Sequence, residues 1–207
     1  MARIPRIELL NLPHHITQRG NRRLQTFFSN ADYRAYVQLM VEAKASSGVS
    51  IWAYCLMPNH VHIVAVPQKE DGLSQLFRFV HRHYSRRINF RENWKGHLWQ
   101  ERFHSFVMDE RYLLATVRYT ELNPVRARLC QRAEEWPWSS ARAHLMGCND
   151  VVTDVQPMCD RIGDWQRYLD EGASDGELEG IRRSATTGRP AGDASFLTRL
   201  EALTGRD

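Results

Sequence analysis

Two histidines separated by one residue, His60 and His62, are the first pair whose types and spacing could do chemistry. They fall in a segment that alternates with a period of two, which predicts a β-strand over residues 60–66. Side chains two residues apart on a strand share a face. Two such imidazoles can bind one divalent metal ion and leave positions open for water or a substrate oxygen. The spacing alone does not exclude two surface histidines without a ligand.

A second pair, Tyr119 and Asn123, lies four residues apart at the end of a predicted helix over residues 109–122. Residues i and i+4 project from one helical face. Asn123 offers a neutral oxygen ligand, and Tyr119 offers a phenol that could attack phosphorus. A free phenol is a poor nucleophile at neutral pH, so it needs a metal or a base nearby. The alternatives are an aromatic core residue and an ordinary helix end before Pro124.

The predicted elements that must position these residues are four strands and three helices. The order is strand, helix, strand, strand, helix, strand and a third helix, which predicts an α+β fold, the ferredoxin-like split β-α-β sandwich. The first two helices should cover one sheet face, and the third should lie on the other face or at an edge. The predicted strands are 14–18, 51–57, 60–66 and 104–108, and the predicted helices are 31–47, 73–90 and 109–122.

The chain has 207 residues, 43% hydrophobic and 25% charged, which excludes a disordered chain, a collagen and a coiled-coil rod. We expect one domain over residues 1–147, followed over residues 148–207 by an acidic linker and a short helical C-terminal extension. No apolar run approaches the roughly 20 residues of a membrane span, and the N-terminus has no secretory-signal pattern. The four cysteines form no C-x-x-C pair, which favours reduced thiols and a cytoplasmic location.

The charge is divided unevenly along the chain. Residues 1–148 hold 21 Lys and Arg against 12 Asp and Glu, whereas residues 149–207 hold 7 against 12. Nearly all of the positive charge is arginine, which binds phosphate in planar, bidentate contacts and stacks on bases. The bias favours a nucleic-acid partner, and the alternative is simply a basic surface.

Five stretches of the sequence together resemble the REP-associated tyrosine transposases, a branch of the HUH single-tyrosine transposases. The likeness covers about residues 1–145 in consistent order and implies the HUH endonuclease fold with an extra, nucleophile-bearing helix. The stretches are LPHHITQRGN at 12–21, PNHVH at 58–62, LWQERF at 98–103, YTELNPV at 119–125 and WPWSS at 136–140.

The resemblance also implies a mechanism. His60, His62 and Asn123 match the ligands of Mg²⁺ or Mn²⁺, and Tyr119 matches the nucleophile. The tyrosine would attack a phosphodiester in single-stranded DNA, form a 5′-phosphotyrosine and free a 3′-OH that can reverse the attack. The expected substrate is a short hairpin with an adjacent single-stranded cleavage sequence.

The residues expected to bind DNA are mostly arginines. Trp94 and Trp138 are further candidates for stacking on bases, with packing in the core as the alternative for each tryptophan. Glu101 departs from the small or neutral residue that relatives often carry, and it could repel phosphate, pair with Arg102 or act beyond the metal's direct ligands. The residues predicted to bind DNA are Arg19, Arg22, Arg23, Arg82, Arg86, Trp99 and Arg102.

We therefore expect a metal-dependent single-stranded DNA endonuclease and strand-transferase that is cytoplasmic and nucleoid-associated. Its partners would be single-stranded or hairpin DNA, with no membrane and no small-molecule cofactor, and it would act as a monomer or homodimer. The first alternative is a domesticated hairpin-binding regulator with little or no cleavage. An RNA-binding module and a two-histidine hydrolase of small molecules are the others.

Overall fold

Four strands form one antiparallel sheet in the order β2-β3-β1-β4. They are seen in a computed structural model that describes residues 7–205; residues 1–6 and 206–207, which the predicted domains include, lie outside the described residues. The order confirms the predicted α+β, ferredoxin-like fold. The strand bounds are β1 His14–Arg19, β2 Val49–Met57, β3 His60–Pro67 and β4 His104–Val107.

Two long helices, α1 (Asn30–Ser47) and α2 (Gly72–Arg91), cover one face of the sheet. Ser29 and Asp32 form a capping box at the start of α1, which satisfies backbone donors that the first turn leaves open. Gly48 ends the helix in the left-handed conformation, with φ of 63°. The core beneath both helices joins their inner faces to alternate strand residues: Ile16, Ile51, Leu56, Val61, Ile63, Ala65, Tyr36, Met40, Leu76 and Tyr84.

The opposite face of the sheet carries the third helix. α3 (Glu110–Glu121) begins at Asp109, whose side chain accepts a hydrogen bond from the Tyr112 amide at 2.8 Å. Pro124 lies in the first turn of a separate short helix, α4 (Asn123–Arg126), so the helical direction is interrupted where the sequence predicted a stop or kink. The core on this side is separate and includes Ala53, Val64, Phe106, Leu113 and Val117.

The C-terminal third is mostly short helices that pack on the α3 side. Trp165, Tyr168 and Ile181 belong to the same apolar cluster as α3, and Phe196 and Leu200 pack beside β4. Helices thus occupy much of the predicted acidic linker, while a domain boundary after residue 147 stays a prediction. Their bounds are α5 Ala141–Met146, α6 Gln156–Cys159, α7 Trp165–Asp170, α8 Asp175–Thr187 and α9 Ala194–Thr204.

Within residues 7–205, none of the helices has both the length and the apolar character needed to cross a membrane.

Candidate active site and nucleic-acid surface

The structure places His60 and His62 side by side on the sheet face that carries α3. Their intervening neighbour, Val61, points to the other face and joins the core under α1 and α2. The two imidazole rings are 4.9 Å apart between centroids and inclined at 81°. Strand periodicity therefore brings the two rings to one place, as their spacing predicts.

Tyr119, on α3, reaches the same place, and Asn123 begins the next short helix, α4. The Tyr119 ring lies 5.5 Å from the His62 ring, at 80° to it. Asn123 is only 9% exposed, and among the described residues its amide nitrogen has no hydrogen-bond partner. A buried amide nitrogen without an acceptor costs free energy.

His15 is a member of this site that the sequence reasoning missed. Its Nε2 lies 3.0 Å from Nδ1 of His62, both side chains are buried, and the ring planes differ by only 5°. Strand alternation in β1 puts His15 on the face opposite Ile16, which was a usable signal. What was missing is the pairing of β1 with β3, which sets Thr17 against His62 and so brings His15 alongside.

Burial keeps these imidazoles uncharged. It lowers the pKa of His15 to about 3 and, together with the positive charge of Arg19, lowers the pKa of His60 to about 4. The pKa of His62 falls well below its usual value, first through burial and then through neighbouring positive groups. Neutral imidazole is the form that binds metal ions, so the site needs no deprotonation at neutral pH.

The donor set fits a divalent ion. His60 Nδ1 donates to Asn59 Oδ1 at 2.6 Å, and a His62 Nδ1 that donates to His15 leaves Nε2 as its ligand atom. No group of three His, Cys, Asp or Glu side chains in residues 7–205 is arranged to hold a metal. If Asn123 is the third ligand that the family resemblance implies, its amide oxygen would be the atom that binds the ion.

Arg126 is a second residue that the sequence reasoning missed. Its guanidinium carbon lies 4.0 Å from the centroid of the Tyr119 ring. Its Nη2 donates a hydrogen bond to the Tyr119 carbonyl oxygen at 2.8 Å. A cation over a tyrosine face is attracted by the ring, so Arg126 and Tyr119 hold each other in place. The sequence carried only a weak signal, a seven-residue spacing interrupted by Pro124.

A buried carboxylate fixes the end of α3 between Tyr119 and Asn123. Glu121 Oε1 accepts hydrogen bonds from Ser140 Oγ at 2.5 Å and from His144 Nδ1 at 2.6 Å. Its Oε2 accepts one from Trp165 Nε1 at 2.9 Å. All four residues are buried. These bonds tie the end of α3 to α7, to α5 and to the residue that precedes α5.

The predicted DNA-binding arginines divide between the two sides of the sheet. Arg19 lies on the histidine side, where its strand neighbour is His60. Arg82 and Arg102 line a groove of about 790 Å³ between α2 and the loop of residues 96–103. The groove walls share residues with the core under α1 and α2, so it opens on the side away from Tyr119. Arg22, Arg23 and Arg86 are exposed and lie outside the groove lining.

The tryptophans are placed differently from one another. Trp99 is 7% exposed and packs against Tyr36 and Tyr84, so it has little free face for stacking on a base. Trp138 stacks on Tyr33 at 4.9 Å. Trp94 is 45% exposed and keeps an open face.

The structure also shows the position of Glu101, the residue that differs from those that relatives often carry. Glu101 is exposed at the groove and its Oε1 lies 3.0 Å from Nε2 of His104.

Comparisons with known proteins identify the family to which the chain is similar. A family model described as Transposase IS200 like matches residues 9–123, a range that includes His60, His62, Tyr119 and Asn123. A protein of Haemophilus influenzae whose name assigns it to the REP-associated tyrosine transposases is 24% identical over 116 residues. That match covers 51% of this chain and spans 62% of the relative's length.

A solved structure of a REP-associated tyrosine transposase bound to a REP hairpin has the same fold. It superposes with a TM-score of 0.61 at 20% sequence identity, over 75% of this chain and 94% of the other. The resemblance to this group that the sequence motifs indicate is thus confirmed.

Proposed function

Because the chain belongs to the Transposase IS200 like family, we propose that it is a metal-dependent endonuclease and strand-transferase. It cleaves single-stranded DNA beside a hairpin and passes through a 5′-phosphotyrosine. The observation that carries the proposal is the meeting of Tyr119 with His62, their rings 5.5 Å apart, on the sheet face that also carries His60. Two parts of the chain far apart in sequence, β3 and α3, supply these groups to one site.

In this proposal His60, His62 and Asn123 hold Mg²⁺ or Mn²⁺. The bound ion supplies positive charge that makes the phosphorus more electrophilic. His15 keeps the His62 ring in one orientation through the 3.0 Å bond between Nε2 and Nδ1. The packing of the Tyr119 ring between His62 and Arg126 holds the phenol near the phosphate, which removes the entropic cost of finding that geometry during attack.

The covalent step exchanges one phosphoester for another. The Tyr119 oxygen forms a bond to phosphorus, and the bond between phosphorus and the 3′-oxygen breaks. The phenol proton passes to water, and the departing 3′-oxygen takes a proton from water to become a 3′-OH. Because the phosphodiester energy is conserved in the phosphotyrosine, a 3′-OH can attack it in return and rejoin or transfer the strand.

Binding of hairpin DNA depends on charge outside this site. Arg78, Arg82 and Arg102 line the groove beside α2, and no ion pair in the described part of the chain engages them. Arg91 instead binds the buried Asp32, 2.5 Å away. Unpaired arginines bind phosphates and release counterions, and the hairpin in the solved relative supports the same kind of partner here.

The test is to mix the protein with a fluorescent library of single-stranded hairpins, with Mg²⁺, Mn²⁺ or a chelator. Denaturing and native gels are run side by side. We expect an SDS-resistant protein–DNA adduct that requires metal and is absent in Tyr119→Phe, which should still retard hairpins. Tyr112→Phe removes a hydroxyl from the same helix and should form the adduct normally.

Two results would contradict the proposal. Retarded hairpins without an adduct under any metal condition would favour the hairpin-binding regulator. Failure to bind any hairpin would remove the basis for a hairpin-directed transposase.

A further inference from the structure

One arginine, Arg126, contacts Tyr119 directly, and two others add positive charge to its surroundings. Arg126 covers the ring at 4.0 Å. Arg182, on α8, lies within electrostatic range of Arg126. Arg19, on β1, and Arg126 both act on His62 through their charge. The C-terminal extension therefore contributes a cation to the neighbourhood of the nucleophile.

In the part of the chain that the structure describes, no carboxylate neutralises the charge of these arginines through an ion pair. Across residues 7–205, Arg19, Arg126 and Arg182 form no ion pair with a carboxylate, whereas many other arginines do, such as Arg118 with Glu171. The Arg126 side chain covers the face of the Tyr119 ring and donates a hydrogen bond to the Tyr119 carbonyl oxygen. Like charges held together repel one another, and a bound anion would relieve that repulsion.

The geometry restricts where that anion lies. One N–H of Arg126 is used on the Tyr119 carbonyl, and a guanidinium has five N–H donors in a rigid fork. The remaining donors stay at the face of the ring whose hydroxyl is the proposed nucleophile. A phosphate bonded to that hydroxyl oxygen would lie at the end of the same ring that the guanidinium covers.

We propose that Arg126 binds the scissile phosphate while it is being transferred to Tyr119 and while it remains attached there. This inference rests on the proposed function. As the Tyr119 oxygen bonds to phosphorus and the 3′-oxygen leaves, negative charge grows on the non-bridging oxygens. Guanidinium donors already in place stabilise that charge, and Arg126 neither gains nor loses a proton.

The experiment measures the rate of adduct formation at saturating hairpin, chosen from native gels. The variants are Arg126→Gln and Arg126→Lys. Arg128→Gln is the matched control, because Arg128 is exposed two residues further along the same segment. Each variant is also assayed with added guanidinium ion at a concentration that leaves the protein folded, and each is checked by thermal unfolding.

We expect Arg126→Gln to slow adduct formation by about 100-fold, the typical effect of removing one donor to a developing oxyanion. Hairpin affinity should change little, because the groove arginines lie on the other side of the sheet. Arg126→Lys should be intermediate, since it keeps the charge without the fork. Free guanidinium should increase the rate of adduct formation by Arg126→Gln and leave the rate of Arg128→Gln unchanged.

The outcomes separate this inference from the proposed function. If the unaltered protein forms no adduct, both are wrong. If it forms an adduct and Arg126→Gln forms it equally fast, the inference alone is wrong. If Arg126→Gln is slow, unfolds at a lower temperature and is not rescued by guanidinium, Arg126 has a packing role and the inference is again wrong.

Discussion

The hydrogen bond between His15 and His62 determines which ring nitrogen of His62 is free to bind a metal ion. Two neutral imidazoles 3.0 Å apart share one hydrogen between Nε2 of His15 and Nδ1 of His62. If the hydrogen is on His62, its Nε2 carries a free lone pair for a metal. If it is on His15, His62 instead bears a hydrogen on Nε2 and cannot bind the ion. In the proposed metal site, His15 is therefore the residue that positions His62.

Replacing His15 tests this role directly. His15→Phe keeps an aromatic ring against Phe106 but removes the acceptor for His62 Nδ1. Partners of metal-bound histidines contribute about 10- to 100-fold in affinity, so we expect a loss of that size in Mn²⁺ binding. Isothermal titration calorimetry without DNA measures it.

His14→Gln provides the control for that measurement. His14 is a buried histidine of the same strand, but it faces the other way and its ring bonds the Leu12 carbonyl and the Leu9 amide. This variant should lose stability and keep its Mn²⁺ affinity. Equal Mn²⁺ affinity in His15→Phe and the unaltered protein would contradict the positioning role.

Helix α3 depends on the C-terminal segment for its position. Glu121 stands between Tyr119 and Asn123, and its carboxylate accepts hydrogen bonds from α7 and from the segment at the start of α5. The stacking of Trp165 on His144 at 4.1 Å completes the contact. A buried carboxylate is costly unless its lone pairs are satisfied, so these partners stabilise the local structure of the site.

Trp165→Phe removes one of those partners and keeps an aromatic ring. Glu121 Oε2 then loses its 2.9 Å hydrogen bond from the indole. We expect the free energy of unfolding to fall by about 1–3 kcal/mol, as for a buried acceptor left unsatisfied. Urea unfolding followed by circular dichroism measures the change.

The same variant should form the covalent adduct more slowly, because the end of α3 is less well held. Trp94→Phe, at an exposed indole on another part of the surface, is the control and should change neither quantity. If Trp165→Phe had the same free energy of unfolding and the same rate of adduct formation as the unaltered protein, the hydrogen bonds to Glu121 would have no part in positioning Tyr119.

For the whole molecule, the sheet separates the proposed chemistry from the main basic groove. Tyr119 and the histidines lie on the α3 side, while the groove with Arg82 and Arg102 opens on the α2 side. A DNA molecule that uses both must reach around an edge of the sheet. Helices α7 and α8 of the acidic C-terminal part pack on the α3 side through Trp165, Tyr168 and Ile181.

The salt dependence of hairpin binding tests this division. Each phosphate contact in a duplex contributes about 0.9 to the slope of log affinity against log salt. The double variant Arg82→Gln/Arg86→Gln should therefore reduce the steepness by about 2 and leave adduct formation at saturating DNA unchanged. Fluorescence anisotropy at several salt concentrations measures the slope.

The matched control is Arg167→Gln/Arg183→Gln. Both arginines are exposed, but each is already paired with a glutamate on its own helix, Glu171 and Glu179. This double variant should keep the original slope. A slope that falls equally in both double variants would mean that only net charge matters, and one that falls in neither would contradict a role for α2.

The order of the elements and the relations between near neighbours could be predicted from the sequence. Strand alternation puts His60 and His62 on one face, because that periodicity is local. Helical spacing was predicted for Tyr119 and Asn123, but α3 ends at Glu121 and a new helical turn begins at Asn123. The motifs that resemble a transposase family lie in these local segments, which is why they were readable.

The contacts that join distant segments were decided only by the tertiary structure. The place of His15 beside His62 depends on the register of β1 with β3. The place of Arg182 depends on how α8 packs, and the burial of Trp99 depends on the core under α1 and α2. Hydrophobic periodicity specifies which face an element buries, but it does not specify which residue of another element meets it. That choice follows from side-chain packing and strand pairing across the whole chain.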